Sequence, residues 1–165
     1  MGNIFDALLL GEHFVDIAAV FAAEGLAKIT RTPGLAVVTA GPGVTNAVSG
    51  ITTAHFNGSP LVVIGGRSPD FRWGSGALQE LDQPPLVASI TKQAGTVHDA
   101  ALVGTEVERA LHLARSPHRG PVFLDVPMDV LFSWADVAPA PRTPTVAAPP
   151  DPQDIEQIVA LLTTA

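Results

Sequence analysis

The chain has 165 residues, a net charge of −7, 47% apolar and 15% charged residues, and no cysteine. That size and composition suit one ordinary domain with a real core and exclude a disordered chain. Nine Lys and Arg without a basic cluster argue against nucleic-acid binding, and the absent cysteines exclude disulfides, thiol catalysis and cysteine-ligated metal.

Taken in chain order, Ala19, Ala22, Ala23 and Leu26 recur at helical spacing and predict an amphipathic helix. Pro33-Gly34 breaks the chain before Leu35–Thr39, a short apolar run rich in β-branched residues that reads as a strand. Gly41-Pro42-Gly43 turns the chain into a second helix marked by Val44, Ala47, Val48, Ile51 and Ala54. Asn57–Pro60 closes that helix, and Leu61–Ile64 is a second buried strand. An irregular stretch follows over roughly 67–90. A third helix carries Val103, Val107, Ala110, Leu111 and Ala114, and Pro121–Pro127 is a third buried strand. Strands apolar on both faces that alternate with helices imply an α/β fold, a parallel sheet with helices on both faces in three layers.

From Ala135 the character changes. Six prolines fall between 139 and 152 and read as a linker over 135–150. Asp151 as N-cap with Pro152 at the first helical position then opens another helix, with Ile155, Ile158, Val159 and Leu162 at helical spacing. These signals divide the chain into a domain over 1–134, the linker, and the start of a further domain over 151–165. The longest apolar runs are far too short for a membrane span, and no basic region precedes the apolar residues at the start, so a cytoplasmic location is the default and no membrane partner is expected.

The segment richest in chemistry is Thr39-Ala40-Gly41-Pro42-Gly43-Val44-Thr45-Asn46, between a buried strand and a helix. Ligands of open α/β sheets bind at the carboxyl ends of strands, and glycines there admit a ligand to the backbone. A tight turn with no ligand is an equally good reading of the residues alone. The segment is neither a dinucleotide fingerprint, since Asn46 stands at the third glycine, nor a phosphate loop, since no Lys-Ser/Thr follows.

This segment resembles the pyrimidine-domain signature of thiamine-diphosphate enzymes of the acetolactate synthase type. The resemblance continues in order through Ala22–Ala27 (AAEGLA), Ser59–Gly66, Leu78–Asp82 (LQELD), Ile90-Thr91-Lys92 and Arg119–Pro127, covering roughly residues 2–132. It implies a domain that grips the aminopyrimidine ring of thiamine diphosphate. In the family a glutamate hydrogen-bonds a ring nitrogen, while Mg²⁺ and the diphosphate are held by a GDG-bearing domain of a second subunit. No GDG occurs in this sequence. The resemblance therefore implies a 2-keto acid carboligase or decarboxylase domain, incomplete without that partner and part of a homo- or hetero-oligomer. Benzaldehyde lyase and 2-hydroxyacyl-CoA lyase relatives share many of the same motifs, and a degenerate, non-catalytic dimerisation or regulatory module is the alternative. FAD contacts in flavin-bearing relatives lie mostly in the middle domain, so nothing here decides for or against FAD.

By this resemblance Gly41, Pro42 and Asn46 line the pyrimidine pocket and Gln79 lies near the reaction centre. Counting back from AAEG without gaps puts Asp16 in the place of the family glutamate. A short deletion is the competing reading, in which Phe14–Ile17 is a strand and the acid is lost; the short spacing to AAEG favours it. The family also begins with a helix and strand before the turn that Gly2-Asn3-Ile4-Phe5-Asp6 matches, which implies a sheet short of its first strand. Glu24, Asp125 and Asp129 read as structural, Trp73 as an interface residue, and Lys92 as either a channel lysine or a solvated one. His13, His55, His98, His112 and His118 lack metal-ligand spacing.

Overall fold

The computed structural model describes residues 15–137 and 149–164. Most of the predicted linker and the N-terminal segment matched to the family's first turn lie outside them. The chain enters through helix α1 (Val15–Thr30), followed by strand β1 (Gly34–Val38), α2 (Pro42–Asn57) and β2 (Leu61–Arg67). A looped stretch leads to the short α3 (Gln83–Val87), then β3 (Gln93–Thr96), α4 (Val103–Arg115), β4 (Pro121–Pro127), α5 (Met128–Leu131) and α6 (Pro152–Thr164).

Among the described residues the sheet has four strands, all parallel, in the order β1-β2-β4-β3. Gly34 pairs with Leu61, Leu61 with Pro121, and Gln93 with Val122, so the carboxyl ends of β1, β2 and β4 finish side by side. Successive residues of a strand face opposite ways. On one face Ala36, Val38, Leu61, Val63 and Phe123 pack against Val20 and Ala23 of α1, Ile51 and its neighbours on α2, and Val87 of α3. On the other, Val62, Val122, Leu124 and Val126 pack against Ala110 and Ala114 of α4 and Val130 of α5. The expected three-layer α/β sheet is therefore what the chain forms.

Local readings fare unevenly. The stripes on α2 and α4 are as predicted. The stripe on α1 is rotated: Asp16, Val20, Ala23, Glu24 and Ala27 face inward, whereas Leu26 is exposed. The cause is the close approach of α1 to β1, where a Cβ at Gly34 would lie 2.2 Å from the Ala23 carbonyl oxygen; only small side chains fit such a seam. The reading of 14–17 as a strand is corrected, since Val15–Ile17 form the first turn of α1. Val15 and Ile17 are β-branched, but the helical period of the buried face overrides that local preference. Strand β3 was missed because Gln93-Ala94-Gly95-Thr96 is a half-buried edge with no apolar pattern. Asp151 caps α6 as expected, its Oδ1 accepting from the Gln153 N–H at 2.9 Å.

The seam between α1 and β1 gives a direct test. Gly34→Ala forces a methyl group onto the Ala23 backbone and should destabilise the fold by about 1–3 kcal/mol in urea unfolding. Gly25→Ala, on the same helix with nothing within 4 Å of the added methyl, should instead stabilise it by about 0.5–1 kcal/mol.

Candidate functional site

The turn after β1 is built on a backbone only glycine adopts easily. Gly41 has φ 58° and ψ −107°, and a Cβ there would meet Cβ of Gln79 at 3.1 Å. Pro42 follows at the start of α2, where its missing N–H costs nothing. Gly43 is packed so closely that a Cβ would lie 2.4 Å from Thr39 Oγ1 and 3.1 Å from Asp16 Oδ2.

Asp16 is buried in the first turn of α1. Its Oδ1 accepts from the Thr39 N–H at 3.1 Å, fixing the carboxylate beside the turn. Oδ2 faces Gly43 and carries no hydrogen bond among the described residues. Pro42 and Asn46 stand one helical turn apart on the exposed side of α2. Gln79 is also exposed and sits at φ 60°, a left-handed conformation uncommon for a residue with a side chain. Its backbone touches the place a Gly41 side chain would fill. The structure thus brings Asp16, Gly41, Pro42 and Gln79 around one turn, with Asn46 a turn further along α2.

The residue sequence reasoning missed is Gln83. It is fully buried, its Oε1 accepting from the Gly41 N–H at 2.8 Å and its Nε2 donating to the Gly66 carbonyl at 2.8 Å and to Asp125 Oδ2 at 2.9 Å. The motif over 78–82 stops one residue short of it, and a glutamine before two prolines gives no sign of burial. Asp125 Oδ2 also receives Arg67 Nη1 at 3.2 Å, and the Arg67 guanidinium lies 3.6 Å from the centroid of the Trp73 ring.

Several other candidates have their polar groups committed elsewhere. The Lys92 ammonium donates to the Leu113 and Ser116 carbonyls and to Ser116 Oγ, closing the C-terminus of α4, and burial pushes its pKa below the ordinary lysine value. Its ammonium is thus spent on the helix end rather than solvated. Asp129 accepts from the Asp70 N–H, and Asp70 pairs with His98 at 2.5 Å. Glu80 accepts from the Gly74 and Ala77 N–H groups and closes its own loop. No group of three metal-ligating side chains occurs among the described residues, and no described helix is long and apolar enough to cross a membrane.

Known proteins share this chain's sequence pattern and fold. The model of the thiamine pyrophosphate enzyme N-terminal TPP binding domain matches residues 15–86. The acetolactate synthase large subunit of Mycobacterium tuberculosis is 45% identical over 150 residues, covering 89% of this chain and 27% of that protein. The 2-hydroxyacyl-CoA lyase 2 of Danio rerio is 40% identical over 129 residues, covering 76% of this chain and 21% of that protein. A thiamine diphosphate-dependent 4-hydroxybenzoylformate decarboxylase from Rhodococcus jostii superimposes with a TM-score of 0.75 at 27% identity, over 93% of this chain and 30% of that one. These matches show a pyrimidine-binding domain of the kind that stands at the N-terminus of thiamine-pyrophosphate enzymes, acetolactate-synthase-like in sequence.

Glu24, of the family's AAEG segment, is a structural acid here. Burial acts to raise its pKa, but Lys28, Ser59 and Asn57 all bond the carboxylate and bring it below the usual value. A folded-state pKa below the unfolded one adds stability above about pH 4.3 that is lost as pH falls through the folded value. Glu24→Gln should therefore lower the urea midpoint at neutral pH, by about 1–3 kcal/mol in stability, with the gap to wild type closing as the pH is taken below about 4.

Proposed function

We propose that this chain supplies the pyrimidine half of a thiamine-diphosphate site in a 2-keto acid carboligase or decarboxylase of the acetolactate synthase type. The observation that carries the reading is the Asp16 carboxylate, one oxygen held by the Thr39 N–H and the other without a hydrogen bond among the described residues, beside the Gly41–Gly43 turn. That chemistry fits the cofactor: an aminopyrimidine nitrogen needs a carboxylate held in a fixed orientation, and the Thr39 N–H provides the hold. When bound, thiamine diphosphate supplies the nucleophilic thiazolium carbon that adds to a carbonyl.

In this reading Asp16 takes the role of the family glutamate, orienting the ring and holding a proton at one of its nitrogens. Gly41, Pro42 and Asn46 line the ring pocket, and the exposed amide of Gln79 reaches toward the substrate. A diphosphate-binding domain from a second subunit brings Mg²⁺ and completes the site. Residues 1–134 form the pyrimidine domain, 135–150 a linker, and 151–165 the start of a further domain. The curated relatives are about four times the length of the matched region, so this full-length activity belongs to an assembly of which the chain is one part.

Calorimetry with thiamine diphosphate and Mg²⁺, on the chain alone and mixed with a GDG-bearing domain, tests the reading. Binding is expected in the mixture together with carboligation of pyruvate. Asp16→Asn should cost roughly 10²–10⁴-fold in turnover, the usual worth of a positioned acid–base group, while cofactor binding persists. Asp16→Glu should retain or raise it. A folded chain that binds nothing in either setting would leave a non-catalytic dimerisation or regulatory module.

A further inference from the structure

We infer that Gln83 is the positioning residue of the pyrimidine turn, an inference that rests on reading that turn as the pyrimidine site. The amide of Gln83 makes three hydrogen bonds, to Gly41, Gly66 and Asp125, and is wholly enclosed. These partners lie at the carboxyl ends of β1, β2 and β4. β1 and β4 are not neighbours in the sheet and are registered to each other only through β2. The side chain of Gln83 adds a direct tie between the turn after β1 and the end of β4.

The chemistry leaves one orientation. Gly66 O and Asp125 Oδ2 are acceptors and require the NH₂ end, and the Gly41 N–H requires the carbonyl end. A flipped amide would set donor against donor and acceptor against acceptor. Without Gln83 the N–H of Gly41 loses its acceptor in a buried place, and the φ 58° backbone that delivers Pro42 and Gly43 loses its tether. Gly43 abuts Asp16 Oδ2, so a shift of the turn reaches the carboxylate as well.

Two variants separate positioning from general stability. Gln83→Met keeps the length and removes every hydrogen bond. Gln83→Glu keeps the acceptor for Gly41 but sets a carboxyl against Asp125 and the Gly66 carbonyl, with Arg67 as the neighbouring cation and Asp82 beyond it at 3.8 Å. Protonating the new carboxyl restores one donor. In ¹⁵N-labelled chain, Gln83→Met should speed amide exchange at Gly41 by on the order of tenfold, and leave Val63 and Phe123 protected. Thiamine-diphosphate affinity in the mixture with a diphosphate-binding domain should fall by a similar factor. Gln83→Glu should show both defects, each measured against wild type at the same pH, at about pH 8 and lose them toward about pH 5.

Unchanged protection at Gly41 in both variants, or loss at Val63 and Phe123 in step with Gly41, overturns the assignment. If Gln83→Met does not fold, the pH comparison on Gln83→Glu decides. Should wild type fail to bind thiamine diphosphate, the pyrimidine reading falls, and exchange at Gly41 still decides whether Gln83 sets the turn.

Discussion

A carboxyl group buried without exposure at the end of β4 is the constraint around which this end of the domain is arranged. Asp125 sits inside an otherwise apolar layer, and a polar group there is tolerated only with partners. Arg67 from the end of β2 and Gln83 from α3 both reach Asp125 Oδ2. Each partner brings an element with it. Arg67 carries the face of Trp73, and Gln83 carries the turn after β1. Partnering one oxygen of a buried acid therefore gathers three strand ends and two loops at the end of the sheet where ligands of such folds bind. A hydrophobic residue in place of Asp125 would pack as well against its neighbours but would leave the Gln83 amide one acceptor short.

The layers were legible because they follow from pattern. Alternating apolar strands and helical stripes such as Val44, Ala47, Ile51 and Ala54 carry the information locally, and the sheet realises them. The failures all involve non-local terms. The face of α1 depends on how near the helix lies to Gly34, which α1's own residues do not encode. Strand β3 exists because β4 offers it a ladder; nothing in Gln93–Thr96 demands a strand. Lys92 has the spacing of a family motif, yet its neighbours in space are the last carbonyls of α4. The turn after β1 was readable because Gly-Pro-Gly between a strand and a helix marks a tight turn, whereas Gln83 was not, because burial of a glutamine is a property of its partners.

Helix formation at 15–17 has a consequence for the acid. Had the segment been a strand, no side chain from it would approach the turn after β1. In a helix the buried face continues from Val20 and Ala23 back to position 16, and Asp16 arrives beside Thr39 and Gly43 through the period alone. The Thr39 N–H holds one of its oxygens and so fixes the orientation of the carboxylate beside the turn.

The distribution of spent and unspent polar groups sharpens the same point. Glu24, Glu80, Lys92 and Asp129 each satisfy backbone or side-chain partners belonging to the fold itself. The loop that carries Gln79 is closed by its own bonds, with Ser68 Oγ donating to the Leu78 carbonyl and Glu80 holding two N–H groups. Those bonds hold Gln79 in a left-handed backbone that a residue with a side chain adopts at some cost, a strain that persists only where the surroundings over-determine it. Its side chain makes no hydrogen bond with the described residues, and neither does the second oxygen of Asp16. Both stand against the Gly41–Gly43 turn, Gln79 touching the first glycine and Asp16 the last. Among the described residues, two polar groups without a hydrogen bond, the Gln79 amide and Asp16 Oδ2, thus stand at the two ends of one turn, which concentrates the fold's capacity for binding there.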